Sequence, residues 1–332
     1  MPNSHAHIAL ETANLSIGYG EGKNRLEILS NISLKAYKGQ LICFMGPNGV
    51  GKSTLLRTLC TLQPTLAGTI SVGGINIHEI SPNEKAKKIG LVLTDPINAG
   101  NMSAYDVVAL GRYPYMGWQL RSRQEDDRAI EQAILQTQTH DFINKKIYEL
   151  SDGQLQKIMI ARALAQDTPI LILDEPTAHL DLNNRVSIVN LLKTLAHKHD
   201  KTIIMATHEI DLALQTADRL WLAGFNQPIV EGMPEDLVLN GKIDEVFQFK
   251  GYDLKTGTLK KQSLGYKVSL EGSGYLYLWT KNALERNGFE IDTEADTHVT
   301  IIKENETCCW QTNEGTTFGT LEGLINQLIK QH

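Results

Sequence analysis

The chain has 332 residues, of which 42% are hydrophobic and 21% charged, as expected of a globular protein with a sizeable buried core. At roughly 150 residues per domain, this length predicts two domains. A net charge of −6 at pH 7 excludes the basic surface typical of nucleic-acid-binding proteins, so we expect no nucleic-acid partner. The sequence has no apolar run of about 18 residues, no secretory signal pattern and no CxxC pair among its four cysteines, which indicates a reduced, cytoplasmic compartment.

Two predicted strands open the chain. Alternating apolar and polar residues over 8–18 predict a first strand that ends at Tyr19, and residues 26–36 predict a second strand after a polar turn. An aromatic ring at the end of a strand either stacks on a nucleotide base or lies at the rim of a sheet. The spacing leaves both interpretations of Tyr19 open.

The sequence GPNGVGKST matches the phosphate-binding loop pattern of glycine, four residues, then Gly-Lys-Ser/Thr. An apolar run at 41–45 precedes it and a helical pattern from near Lys52 follows, which is the context that the motif requires. Glycines let successive N–H groups point inward as an anion nest, and the helix N-terminus adds the positive end of its dipole. We expect Lys52 to reach the outer phosphates of ATP and the Ser53 hydroxyl to ligate Mg²⁺. The predicted nucleotide-binding residues of this loop are Gly46, Pro47, Asn48, Gly49, Val50, Gly51, Lys52, Ser53 and Thr54.

The next segment returns to short strands and then becomes helical. Residues 68–77 predict a hairpin with a Gly-Gly turn, and residues 81–88 predict a short helix that begins with a serine cap and a proline. Residues 89–94 predict a buried strand. From about 95 to 165 the pattern is polar and helical, which predicts a helical subdomain inserted between strands.

The pentapeptide LSDGQ, from Leu150 to Gln154, precedes an amphipathic helix that we expect to end near Asp167. Ser151 is suited to cap this helix, and Gly153 lets the backbone approach a ligand closely. The segment is either an ordinary capped helix or a second anion site at a helix N-terminus. Taken by itself, the pentapeptide favours the ordinary capped helix.

Two acidic residues follow a buried strand. Residues 170–173 are all apolar and run directly into Asp174 and Glu175, which places the pair at the carboxyl end of a central strand. Beside a phosphate loop, we expect Asp174 to hold Mg²⁺ and Glu175 to act as the base that polarises the attacking water.

A histidine occupies the corresponding position on a further strand. Residues 178–199 begin with AHLD and predict a helix, and residues 202–209 predict another buried strand that carries His208. A lone histidine at a strand end is more often structural than catalytic. Its position at the sheet edge of Asp174 and Glu175 favours a functional role, in which a neutral imidazole donates to the γ-phosphate.

In this order and spacing, GPNGVGKST, LSDGQ, ILILDEPT, AHLD and the strand of His208 resemble the ATP-binding subunits of ABC transporters, over about residues 8–245. The resemblance implies a P-loop NTPase α/β fold with an inserted helical subdomain, and ATP hydrolysis with ATP and Mg²⁺. It also implies a homodimer with two composite sites, in which the signature loop of one subunit closes over the ATP held by its partner, and it favours base stacking for Tyr19. By resemblance, the residues that serve the dimer are Ser151, Gly153 and Gln154, facing the partner's γ-phosphate, and Asp181, at the dimer seam.

Two positions depart from the family pattern. The usual signature is LSGGQ, and here Asp152 replaces a glycine, so we expect its carboxylate to point away from the γ-phosphate. Thr94 occupies the position of a family glutamine that contacts Mg²⁺ and couples to the membrane partner. A threonine is too short to do both, and Asp95 beside it is the alternative.

The stretch DVVALGRYPYMGW, residues 106–118, resembles subunits that serve importers of the iron-siderophore, haem and cobalamin type. This implies integral-membrane permease subunits as partners, a substrate-binding protein as an indirect partner, and a peripheral location at the cytoplasmic face of the cell membrane. The alternative is a soluble ABC-type ATPase that acts on a non-transport assembly. The single nucleotide-binding unit and the acidic net charge argue against this alternative. A P-loop kinase or GTPase lacks support, because the sequence has no NKxD pattern.

Residues 249–332 follow the predicted ATP-binding domain, residues 1–248, and are not needed for the ATP site. Alternating strand and helix patterns predict a small α+β accessory domain. A role in dimer contacts or regulation and a role in ligand sensing both stay open. We expect Trp279, Trp310 and the adjacent Cys308 and Cys309 to lie in its core.

Overall fold

The computed structural model describes residues 7–20, 22–93, 100–116, 123–255, 258–259, 265–304 and 307–331. The chain divides into two compact units, residues 1–248 and 249–332. Within the described ranges, no helix combines the length and the apolarity that crossing a membrane requires.

The secondary structure of the first unit is numbered in chain order. Its described strands are β1 (Ile8–Tyr19), β2 (Leu26–Ile32), β3 (Lys35–Tyr37), β4 (Leu41–Met45), β5 (Ala67–Val72), β6 (Ile75–Asn76), β7 (Ile89–Val92), β8 (Ile170–Asp174), β9 (Thr202–Ala206), β10 (Arg219–Leu222) and β11 (Val230–Gly232). Its described α-helices are α1 (Lys52–Leu59), α2 (Pro82–Ala86), α3 (Ala104–Ala109), α4 (Gln124–Thr137), α5 (Asp152–Ala165), α6 (Leu182–His199), α7 (Ile210–Thr216), α8 (Pro234–Leu239) and α9 (Lys242–Phe247).

An antiparallel sheet forms around β1, which pairs with β2, β3 and β5. The prediction of one strand over residues 26–36 is wrong, because the chain leaves the ladder between β2 and β3. The buried Thr12 hydroxyl lies at this break, where it donates to the Ile32 carbonyl oxygen at 3.1 Å and accepts from the Leu34 N–H at 2.9 Å. A side chain thus satisfies backbone groups where the pairing of strands is interrupted.

A second sheet has the order β11-β10-β4-β9-β8-β7, in which β11 is antiparallel to β10 and the other neighbours are parallel. Every residue of β4, β8 and β9 is buried, as expected of central parallel strands covered on both faces. The strand predicted over residues 202–209 is shorter than expected, since β9 ends at Ala206. His208 therefore lies in the loop beyond the strand, at the sheet edge where the loops after β4 and β8 also begin.

The predicted helical subdomain is formed by α3, α4 and α5, together with a 3-10 segment, Leu110–Tyr115. Inside it, the buried Arg112 guanidinium donates to Asp126 Oδ1 at 2.8 Å and to the Ala165 carbonyl oxygen at 2.7 Å. The same guanidinium lies 3.8 Å from the centre of the Tyr115 ring. These contacts connect the segment after α3 to both α4 and the end of α5.

The second unit has an α+β arrangement, as predicted. Its described elements are β12 (Tyr252–Asp253), β13 (Thr258–Leu259), β14 (Tyr266–Glu271), α10 (Gly274–Arg286), β15 (Phe289–Ile291), β16 (His298–Glu304), β17 (Thr307–Thr312), β18 (Thr317–Phe318) and α11 (Leu321–Gln331). The larger sheet has the order β15-β14-β16-β17-β18.

The core of the second unit contains Trp310, whose indole N–H donates to the buried Thr280 hydroxyl at 2.8 Å. Cys308 packs against this core. The prediction of a core position for Trp279 is wrong, because 64% of its surface is exposed. Successive helical residues point about 100° apart, so the helix that turns Thr280 towards the core turns its neighbour Trp279 towards solvent.

Candidate functional site

The phosphate-binding loop connects β4 to α1, and two of its glycines are required by the backbone. Gly51, directly before α1, has a φ of 109°, a left-handed conformation that other residues rarely adopt. At Gly46, a side-chain Cβ would lie 2.3 Å from the carbonyl oxygen of Ala223. The backbone conformation therefore requires a glycine at position 51, and the lack of space for a side chain requires one at position 46, as the motif predicts.

Lys52 is held inside this loop. Its ammonium donates to the Gly46 carbonyl oxygen at 2.8 Å and to the Pro47 carbonyl oxygen at 3.3 Å, and only 7% of the residue is exposed. Burial lowers the pKa of Lys52, while the negative charges of Glu175 and Asp174 act in the opposite direction. The loop thus carries a buried cationic group at the point where the motif predicts phosphate binding.

The parallel sheet brings the predicted catalytic residues to the same edge as the loop. Ala206 at the end of β9 pairs in register with Phe44 of β4 on one side and with Asp174 of β8 on the other. Neighbouring strands lie about 4.8 Å apart, so β4 and β8 are separated by about 10 Å across β9. The loops that follow these three strands therefore start at one level, and the site is assembled from residues far apart in sequence.

Asp174 provides a buried carboxylate beside the loop, with 6% of its surface exposed. Burial raises its pKa, a hydrogen bond with Ser53 opposes the rise, and the negative charge of Glu175 adds to it. A hydroxyl and a carboxylate in contact are two oxygen donors of the kind that Mg²⁺ prefers. A divalent cation would also relieve the repulsion between the two acids, so the residues present fit a magnesium site.

Glu175 and His208 face each other across the end of the sheet. The His208 Nδ1 and Glu175 Oε2 atoms are 3.6 Å apart. The Glu175 backbone has a φ of 47°, and its N–H donates to the Ala206 carbonyl oxygen at 3.1 Å. Sparsely populated backbone conformations of this kind cluster at functional sites.

Tyr19 lies at the end of β1 with half of its surface exposed. Its hydroxyl is 3.0 Å from the Thr54 hydroxyl, in the first turn of α1. This contact holds Tyr19 beside the helix that follows the phosphate loop, where half of the residue is accessible to solvent. Base stacking by Tyr19, which the family resemblance favours, stays a prediction.

The signature residues form a capped helix start, as the sequence predicts. The Ser151 hydroxyl accepts from the Gln154 N–H at 3.4 Å, and the Gln154 side chain accepts from the Ser151 N–H at 3.2 Å. Asp152 is exposed in the first turn of α5, whereas Gly153 is buried. Among the described residues, the Ser151 and Gln154 side chains hydrogen-bond to the helix start itself rather than to the phosphate loop.

Asp181 caps α6 and marks a contact that sequence reasoning missed. Its carboxylate accepts from the backbone N–H and the side-chain amide of Asn184, both at 2.9 Å. A Cβ at Gly153 would lie 2.6 Å from the Asn184 side chain, so the signature helix and the cap of α6 are in close contact. The contact between Asp181 and Asn184 has a signal in the sequence, because a capping residue is followed three positions later by a polar side chain.

A phosphate loop, a carboxylate pair and a histidine at one edge of a parallel sheet define a nucleotide hydrolase of the P-loop class. The model of the ABC transporter family matches residues 29–178, and the model of the iron ABC transporter C-terminal domain matches residues 265–329.

Two relatives extend this match over most of their length. An uncharacterized ABC transporter ATP-binding protein, MJ0873 of Methanocaldococcus jannaschii, is 36% identical, covering 77% of this chain and 90% of the relative. The probable siderophore transport system ATP-binding protein YusV of Bacillus subtilis is 35% identical, covering 72% and 86%.

Solved structures agree. The structure described as a metal-chelate type ABC transporter in an inward-facing conformation is 26% identical, with a TM-score of 0.63, covering 73% of this chain and 89% of its own. The dimeric ABC cassette MJ0796 is 29% identical, with a TM-score of 0.58, covering 68% and 98%. The chain belongs to the ABC transporter family. It is an ATP-binding subunit and an ABC-type ATPase.

The position of the family glutamine stays a prediction. Thr94 and Asp95 lie outside the described residues, because the described part of this segment ends at Leu93 and resumes at Gly100. The assignment of Thr94 as a metal ligand is therefore carried forward only as an expectation.

Proposed function

We propose that this protein hydrolyses MgATP as a homodimer and thereby powers uptake of an iron-siderophore, haem or cobalamin-type substrate through a separate membrane permease. The observation that carries the proposal is the set of complementary groups at one sheet edge. There, the buried Lys52 ammonium, the Ser53–Asp174 contact and the Glu175–His208 pair follow three neighbouring strands.

The proposed division of labour follows from these positions. Lys52 and the N-terminus of α1 bind the outer phosphates, and Ser53 and Asp174 hold Mg²⁺. When bound, the metal ion neutralises charge on the phosphates. Glu175 orients the attacking water and accepts its proton, while His208 donates to the γ-phosphate.

A second copy of the chain would complete the site. The groups just described bind the nucleotide from one side, and the exposed helix start at Ser151 is a further set of N–H donors on the same subunit. Dimeric structures among the relatives support the proposal that this helix start serves the ATP of the partner.

A groove of about 750 Å³ on the first unit supports the permease as a partner. Leu62, Leu110 and Tyr113 border it and are 63%, 50% and 68% exposed, so large apolar groups meet solvent there. An exposed apolar groove of this kind marks an interaction site. We propose that it receives a cytoplasmic segment of the permease.

The proposed cargo class rests on the siderophore transport relative and on the match of the second unit to the iron ABC transporter C-terminal domain.

Purification of the tagged protein from solubilised membranes tests the partner. We expect a polytopic permease to co-purify with the wild type and with Leu135→Glu, and to be lost with Leu110→Glu. Leu135 is a matched control, because it is a leucine on α4, 74% exposed and outside the lining of the groove. Recovery of soluble partners only would contradict transport and support the alternative, an ABC-type ATPase that acts on a non-transport assembly.

A further inference from the structure

Two adjacent side chains in the first turn of α6 contact the start of α5, the loop before α6 and the residue that follows His208. Asn184 provides the first set of contacts. Its amide donates to Asp181, and it fills the space against Gly153 of the signature helix. Asn184 thus connects the start of α5 to the cap of α6.

Arg185 provides the second set of contacts. Its Nε donates to the Leu180 carbonyl oxygen at 2.6 Å and lies 3.3 Å from Glu209 Oε1. Glu209 directly follows His208, and its side chain is only 10% exposed. Within the described part of the chain, neither Glu209 carboxylate oxygen accepts a hydrogen bond, so Arg185 is the cation that compensates this buried charge.

The loop between Glu175 and α6 is a chain of short turns. The Ala178 N–H donates to the Glu175 carbonyl oxygen at 3.1 Å, and the Leu180 N–H donates to the Thr177 carbonyl oxygen at 3.3 Å. Arg185 holds the last turn through Leu180. Arg185 thus joins the first turn of α6 to the loop that follows Glu175, through Leu180, and to the residue that follows His208, through Glu209.

We propose that Asn184 and Arg185 are positioning residues that connect the signature helix to the Glu175–His208 pair of the same subunit. This rests on the proposed two-copy site, in which the signature helix serves the partner's ATP. In that arrangement, α5 closes on the ATP bound by the partner and moves Asn184. Arg185 then aligns Glu175 and His208, which act on the ATP bound by their own subunit. The two sites of the dimer are coupled through this single turn.

Steady-state hydrolysis by the purified full chain, measured against ATP concentration, tests the connection. We expect Arg185→Ala to lower kcat on the order of tenfold, because small misplacements of catalytic groups are costly. We also expect it to reduce the Hill coefficient towards one, and to leave the affinity for a fluorescent ATP analogue within about twofold. Arg185→Lys keeps the charge opposite Glu209 and should recover most of the rate. Glu209→Gln keeps the shape and should reproduce the loss.

The matched control is Arg219→Ala, which removes the arginine of another Arg–Glu pair, Arg219 to Glu231 at 3.4 Å between β10 and β11. Equal kcat and Hill coefficients for the two alanine variants would overturn the proposal. So would normal cooperativity in Glu209→Gln. If the wild type itself neither dimerises with ATP nor shows cooperativity, the two-copy site fails; if both are present and survive Arg185→Ala, only the connection fails.

Discussion

Replacement of Arg112 by alanine tests how the helical subdomain is held together. The side chains of Arg112 and Asp126 are 6% and 2% exposed, and the Arg112 Nε and Asp126 Oδ1 atoms are 2.8 Å apart. After the substitution, Asp126 keeps the N–H of Arg123 at 2.9 Å but loses the guanidinium that donates to its Oδ1 atom. Removal of one partner of a buried pair costs about 3–5 kcal/mol, and the lost contact with the Tyr115 ring adds about 1 kcal/mol. This is a large part of a typical stability of about 5–15 kcal/mol.

Urea unfolding of the full chain, with hydrogen exchange measured on α4 and α5 peptides, provides the measurement. We expect Arg112→Ala to expose these helices to exchange at lower urea than the wild type. The double variant Arg112→Met/Asp126→Leu should recover most of the loss, because replacing both partners by apolar residues is often neutral. A single-variant loss below about 1 kcal/mol, or a double variant worse than the single one, would refute the reasoning.

The acid dependence of the same variant gives a second check. Burial acts to raise the pKa of Asp126, but hydrogen bonds from Arg123 and Arg112 and the arginine charges outweigh it and hold the pKa below its ordinary value of 3.8. A carboxyl with a lowered folded-state pKa contributes stability above the ordinary value and loses it as pH falls through the lowered one. The stability difference between wild type and Arg112→Ala should therefore shrink in strong acid. A difference that is constant from pH 7 to pH 2 would contradict the assignment.

Three further predictions concern the nucleotide site. Tyr19→Ala should weaken ATP binding by about 1–3 kcal/mol, because the aromatic ring stacks on the base. Tyr19→Phe keeps the ring and should leave ATP binding nearly unchanged. Equal losses of ATP affinity for the two variants in a binding titration would contradict this. Asp174→Asn should abolish hydrolysis yet raise the melting temperature of the nucleotide-free protein at pH 8, since a raised folded-state pKa means that the charged form is disfavoured. That thermal gain should vanish below the ordinary pKa of 3.8, where the carboxyl is protonated in both states; a gain that persists there would refute the cause. Asp152→Gly should tighten the ATP-dependent dimer by about 1 kcal/mol, because it removes a negative charge at the helix start that repels the partner's ATP. A weaker dimer in sedimentation experiments would contradict this.

Elements with a strong local signal could be predicted from the sequence. The apolar runs of β4 and β8 become fully buried strands, and the caps at Ser81 and Ser151 begin helices where predicted. Each of these depends on residues within one turn or one strand. The edge that gathers Asp174, Glu175 and His208 followed from the rule that parallel strands end together.

Features that depend on packing between distant segments could not be predicted in this way. The break before Leu34 exists because the Thr12 hydroxyl reaches the ladder from another strand. The exposure of Trp279 depends on which face of α10 meets the sheet. The contact of Gly153 with Asn184 depends on how two helices cross, which no local pattern encodes.

Each ATP site, as proposed, needs a second copy of the chain to hydrolyse ATP. The most direct measurement is the solution mass of Glu175→Gln by light scattering, with and without MgATP, since this variant binds ATP but lacks the base. We predict a mass of 36.9 kDa without nucleotide and twice that value with MgATP. Glu175→Gln/Ser151→Ala, in which the signature helix is altered, should shift towards the monomer. A mass that stays at 36.9 kDa with saturating MgATP would contradict the two-copy site, and turnover close to wild type in Glu175→Gln would contradict the role of Glu175 as the base.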